Sequence, residues 1–137
     1  MESSKLYKLR LSTLLQAVES FKETLSIDLS KFSEKEIDAI KNGQLQKFEY
    51  STELLWKTMQ IYIIEQIGED ISGPKPVIKS FFTHNLVDKN TYELLFEMIE
   101  SRNKAAHIYN KKTFDEIYSR LKNYLKIMEK LVNLLEK

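Results

Sequence analysis

An all-α fold, an up-and-down antiparallel bundle of four to five helices, is what this sequence predicts, and three observations carry that reading. Glycine and proline are scarce, three and two in 137 residues, so little interrupts the chain between its turns. Apolar residues recur at three- and four-residue steps, while the alternation of β-branched residues that marks strands is absent. Two Ser/Thr-x-x-Glu boxes, at Ser33 and Thr113, stand where apolar runs begin, as helix N-termini do.

The first helix is expected from about Ser4 to Ser26. Its stripe is Leu6, Leu9, Leu14, Val18, Phe21 and Leu25, with Leu11 and Leu15 straddling the one five-residue step. Ser33-Glu34-Lys35-Glu36 opens a short second helix that ends near Asn42-Gly43. A third, from about Gln44 to Ile67, carries Phe48, Leu55, Met59, Tyr62 and Ile63 on its buried side and stops at Gly68. Ser72-Gly73-Pro74-Lys75-Pro76 is a turn whose prolines suit the first turn of a short helix to about Phe82. Asp88 caps a helix from about Lys89 through the Arg102 region. Thr113-Phe114-Asp115-Glu116 starts the last helix, which runs to about Leu135 with Ile117, Leu121, Tyr124, Leu125, Met128, Leu131 and Leu135 as a broad stripe. Short connections make neighbouring helices antiparallel. With no repeat, low-complexity run or linker, residues 1–137 read as one domain.

Composition narrows the function classes. Apolar residues are 42% and charged residues 30%, the balance of a globular chain. No apolar run reaches the roughly 18–20 residues of a membrane span, and Met1 to Tyr7 lack a signal-peptide stretch, so a cytoplasmic protein is expected. The absence of cysteine excludes disulfides, thiolate metal sites and a cysteine nucleophile. Two histidines, His84 and His107, argue against a histidine-rich metal site, and no cofactor is expected. A net charge of +1 disfavours non-specific nucleic-acid binding by the whole surface. The distribution is uneven, however. Residues 1–101 hold 12 basic against 16 acidic side chains, whereas residues 102–137 hold 9 against 4. A solvated helix face is the plain explanation of such a run.

The step falls at Ser101-Arg102-Asn103-Lys104-Ala105-Ala106-His107-Ile108-Tyr109-Asn110. On a regular helix Arg102 and His107 differ by about 140° in azimuth and do not share a face. They converge only if the helix ends or distorts here, or if a second subunit completes the site. The spacing alone also fits a histidine that is hydrogen-bonded near a helix end, where a protonated imidazole favours the dipole.

Arg102-Asn103-x-x-x-His107 resembles the HEPN motif, an arginine followed by a polar residue, three variable residues and a histidine. Upstream, Gln46 to Lys57 (QKFEYSTELLWK) is similar to the signature of one HEPN branch, the nucleotidyltransferase substrate-binding proteins. Ser101-Arg102-Asn103 before the histidine and Tyr109 two residues after it are also typical of that branch, and the resemblance spans about residues 5–135. It implies a dimer with facing Arg–His motifs and, in many members, metal-independent ribonuclease activity, several acting as toxins. It also implies a partner, a separately encoded minimal nucleotidyltransferase. In some systems that partner silences the toxin by adenylating the tyrosine after the histidine, here Tyr109.

These roles suit the side chains. Imidazole titrates near neutrality, so His107 can take a proton from a ribose 2′-hydroxyl or return one to the 5′ leaving oxygen. The guanidinium of Arg102 stays charged and can hold two phosphate oxygens. Asn103 would orient the imidazole or donate to phosphate, and Lys104, Lys111 and Lys112 would hold the RNA backbone. The expected products are a 2′,3′-cyclic phosphate and a 5′-hydroxyl. Elsewhere, Trp56, Phe48, Tyr62 and Phe96 read as core, Glu53–Lys57 as a surface pair, and His84 as a helix-end residue. Two classes remain open: an RNA endonuclease toxin silenced at Tyr109, and a non-catalytic subunit that presents a substrate to the transferase.

Overall fold

The computed structural model describes residues 4–108 and 110–137. They form an all-helical bundle: α1 (Lys5–Leu25), α2 (Glu34–Tyr62), α3 (Pro74–Thr83), α4 (Lys89–Ala105), α5 (Lys111–Tyr118) and α6 (Leu121–Glu136). Ser4 caps α1 through the amide of Tyr7, and Ser33 and Glu36 form the reciprocal capping box of α2. The helix α1 packs on α2 and α6, and α4 packs on α2, α3 and α6. Between them lies the core of Leu14, Phe21, Phe48, Leu55, Met59, Phe81, Leu95, Met98, Tyr124, Met128 and Leu131, all essentially solvent-free. The rings of Phe48 and Tyr124 stack at 5.2 Å at its centre. No helix among the described residues is long and apolar enough to cross a membrane.

Two boundaries differ from the sequence expectation. Asn42-Gly43 does not end a helix, because α2 runs unbroken from Glu34 to Tyr62. Asn42 spends its side-chain amide on the carbonyl of Asp38 (2.8 Å). The next residue but one, Gln44, is buried and held at both ends, donating to the Thr24 carbonyl and accepting from the Tyr118 hydroxyl, each at 2.6 Å. Those bonds and the burial of Leu45 and Phe48 outweigh the ~1 kcal/mol that glycine costs within a helix. The helix then widens into a π turn over Ile63–Ile67 and stops at Gly68, as expected, with φ +84° and its amide bonded to the Ile63 carbonyl.

The second difference concerns the chain after Tyr109. Asn110, rather than Thr113, caps α5, its side-chain oxygen accepting from the amide of Thr113 at 2.8 Å. The expected single last helix is two, broken at Ser119-Arg120. The break lets Arg120 turn to Glu97 of α4, to which Nε and Nη2 donate at 2.8 and 3.1 Å. Across the molecule, the Tyr7 hydroxyl donates to the Leu135 carbonyl (2.6 Å), joining α1 to the end of α6.

Candidate functional site

The helix α4 starts at Asp88, whose carboxylate accepts from the Thr91 amide, and buries Thr91, Leu95, Met98 and Ile99. That places residues 100, 103, 104 and 107 away from the core. The helix stops at Ala105, and the His107 amide closes the last turn on the Lys104 carbonyl at 3.0 Å. A helix end, one of the arrangements that would let Arg102 and His107 converge, is therefore present here. Tyr109 lies outside the described residues.

Asn103, Lys104 and His107 line one open cavity of about 420 Å³ with Glu100 and Thr113. His107 is exposed there. Lys104 and Thr113 also line an adjoining cavity of about 340 Å³ beside Ser101, Arg120 and Tyr124. Lys111 and Lys112 are exposed in the first turn of α5, and Lys111 borders a groove with Lys41, Ile108 and Phe114. Both cations stand at the positive end of a helix dipole, an arrangement costing a few tenths of a kcal/mol each.

Arg102 takes a different course. Its guanidinium leans on α2, with Nη2 3.3 Å from Oε2 of Glu53, and it lines none of the cavities that His107 does. The carboxylate of Glu53 is held from three sides, since Trp56 Nε1 donates to Oε2 at 3.1 Å and Lys57 Nζ stands 3.5 Å from Oε1. One turn earlier, burial pushes the Glu49 carboxyl above its ordinary value, and the positive charge of Arg102 partly offsets that push. Among the described residues, Arg102 Nε and Thr52 Oγ1 are buried with no hydrogen-bond partner. The structure thus joins Asn103, Lys104 and His107, and sets Arg102 on the neighbouring side of the same helix end.

Sequence reasoning found the Glu53–Lys57 pair but not the ion pair of Glu53 with Arg102, which joins residues 49 positions apart and leaves no local signal. It also missed the chain of polar groups behind the site. Tyr124 donates to Glu97 at 2.6 Å and so accepts from Ser101 at 2.6 Å. Its phenol, pushed up to about 12 chiefly by burial, stays protonated. The Arg120 hydrogen bond draws the Glu97 carboxyl below the usual carboxylate range. Of the aromatic set, Phe48 is core, Trp56 and Tyr62 are half-buried, and Phe96 is exposed with the Lys75 ammonium 5.0 Å above its ring. His84 caps the end of α3, as its position suggests. No cluster of three or more metal-ligating side chains occurs among the described residues.

Residues 9–137 match the family described as nucleotidyltransferase substrate binding protein like. A crystal structure of a protein from Thermus thermophilus superposes with a TM-score of 0.80 at 27% identity, over 90% of this chain and 99% of that one. A tri-AMPylated Shewanella oneidensis HEPN toxin in complex with MNT antitoxin superposes at 0.73 with 15% identity, over 98% of each chain. A toxin–antitoxin structure with AMP-PNP gives 0.70 at 13% identity, over 97% of this chain and 99% of that one. The comparison with curated protein sequences finds no match.

Proposed function

From the premise that the chain belongs to the nucleotidyltransferase substrate-binding-protein-like family, a HEPN-type fold, we propose that it is an RNA endonuclease toxin governed by a separately encoded minimal nucleotidyltransferase. The observation that carries this reading is the end of α4, where an exposed His107 shares an open cavity with Asn103 and Lys104 one turn beyond Arg102. His107 removes the proton of a ribose 2′-hydroxyl, whose oxygen attacks the adjacent phosphorus. The 5′ oxygen leaves and takes a proton from an imidazolium, supplied by the His107 of a second copy in a homodimer. Asn103 and Arg102 stabilise the charge that builds on the phosphoryl oxygens. The products are a 2′,3′-cyclic phosphate and a 5′-hydroxyl. Lys104, Lys111 and Lys112 hold the backbone, which gives a reason for two lysines at a helix N-terminus that disfavours them. Adenylation of Tyr109, two residues from His107, adds a bulky anion that repels RNA. The Shewanella oneidensis relative is a toxin carrying AMP groups in complex with an antitoxin, which supports this mode of control.

The second reading, a non-catalytic subunit presenting a substrate to the transferase, has one observation in its favour: Arg102 is engaged by Glu53 and does not share a cavity with His107. Expression of the chain alone, and together with a minimal nucleotidyltransferase, separates the two. The ribonuclease reading expects growth arrest by the wild type, none by His107→Ala or Arg102→Ala, and relief on co-expression with one or more adenylate masses on the peptide holding Tyr109. Unimpaired growth and no cleavage of RNA by the purified wild type would overturn the ribonuclease reading.

A further inference from the structure

The surroundings of Arg102 support a specific role for a residue on another helix. We infer that Glu53 is a positioning residue, which sets the orientation of the Arg102 guanidinium for a phosphoryl group; the inference rests on the ribonuclease reading above. Glu53 comes nearest to Arg102 at Nη2, 3.3 Å away, without the paired hydrogen bonds of a fork, so most of the five guanidinium donors remain unspent. A bidentate pair, like that of Arg120 with Glu97, would instead have consumed the fork. Glu53 can act as a fixed point because Trp56 and Lys57 hold it from its own helix. Arg102 is two-thirds buried along its side chain and its Nε is shielded from water without an acceptor. A single anchored carboxylate therefore restrains a side chain that would otherwise sample many rotamers.

Charge makes the proposal separable from its alternatives. Arg102 and Lys57 face Glu53 and Glu49, two cations against two carboxyl groups, so the cluster is close to balanced. Glu53→Gln keeps the shape and removes one negative charge. If Glu53 positions Arg102, kcat falls about 10- to 100-fold, because a misaligned donor fails in the transition state. KM for RNA stays level or falls, because the site has become more positive. A carboxylate that merely masks Arg102 from substrate would give the opposite result, a rise in kcat.

The test combines kinetics with NMR of the arginine Nε–H groups, of which the chain has three, at Arg10, Arg102 and Arg120. The Arg102 signal, assigned by its loss in Arg102→Lys, is expected to exchange slowly in the wild type and quickly in Glu53→Gln. Trp56→Phe, which removes the indole donor to Glu53 and keeps an aromatic ring, should move both readouts the same way but less, and stands in should Glu53→Gln misfold. Lys89→Ala, which breaks the exposed pair with Glu93, should move neither. An Nε–H that remains protected in Glu53→Gln, or a kcat that is unchanged or raised, overturns the proposal. Absence of RNA cleavage by the wild type overturns the ribonuclease reading and with it any use of Glu53 in cleavage, while the NMR result decides separately whether Glu53 holds Arg102.

Discussion

Tyr124 is a phenol in the middle of the core that keeps its hydroxyl because Ser101 and Glu97 reach it from one helix. Tyr124→Phe preserves the stacking on Phe48 and deletes one polar link between α4 and α6, at an expected cost of about 1–2 kcal/mol, or roughly 3–8 °C in Tm by calorimetry. Glu49 behaves in the opposite sense. Its carboxyl is raised in the folded state, so the fold binds that proton more tightly than the unfolded chain does. Ionisation therefore lowers stability as pH rises through the carboxylate range, and the full loss is in place at pH 7. Glu49→Gln should accordingly raise Tm at pH 7, with the gain fading as pH is lowered to about 3, where both forms are neutral. Arg102, Asn103, Lys104 and His107 could be picked out together as candidates because they lie within six positions, but the partners that hold Arg102 could not. Their pairing depends on how α4 lies against α2, and spacing along one helix carries no record of that.

At the level of the elements, Gly43 sits inside α2 with nothing within 4 Å of where a Cβ would be built. Gly43→Ala should stabilise the protein by about 0.5–1 kcal/mol, chiefly by narrowing the unfolded ensemble, and a raised urea midpoint with unchanged slope would record it. The same glycine misled the reading of the sequence. Asn-Gly is a common helix end, and the bonds that override it come from Thr24 and Tyr118, 20 and 74 positions from Gln44. Where a cap was local, the sequence was reliable, as at Ser33, Gly68, Pro74 and Asp88. At Thr113 two local solutions competed, and Asn110, better placed to take the Thr113 amide, won.

Taken as a whole, the molecule is nearly neutral, and its excess of cations lies after residue 101. On the proposed ribonuclease reading, RNA held chiefly by Lys104, Lys111 and Lys112 should weaken with salt only gently, with a log–log slope of about −2 from three phosphate contacts on a single strand. Alanine at any one of them should flatten that slope by about 0.7, and a wild-type slope of about −5 would mean a much larger basic surface than these three residues provide. The bond from Tyr7 to Leu135 bears on the birth of the molecule as well as on its finished state. A ribosome releases α1 long before α6, so the phenol of Tyr7 must wait through the synthesis of 128 further residues for its acceptor. The seam between first and last helix is thus among the last to close on a nascent chain, and until then the inner side of α1 is sheltered chiefly by α2.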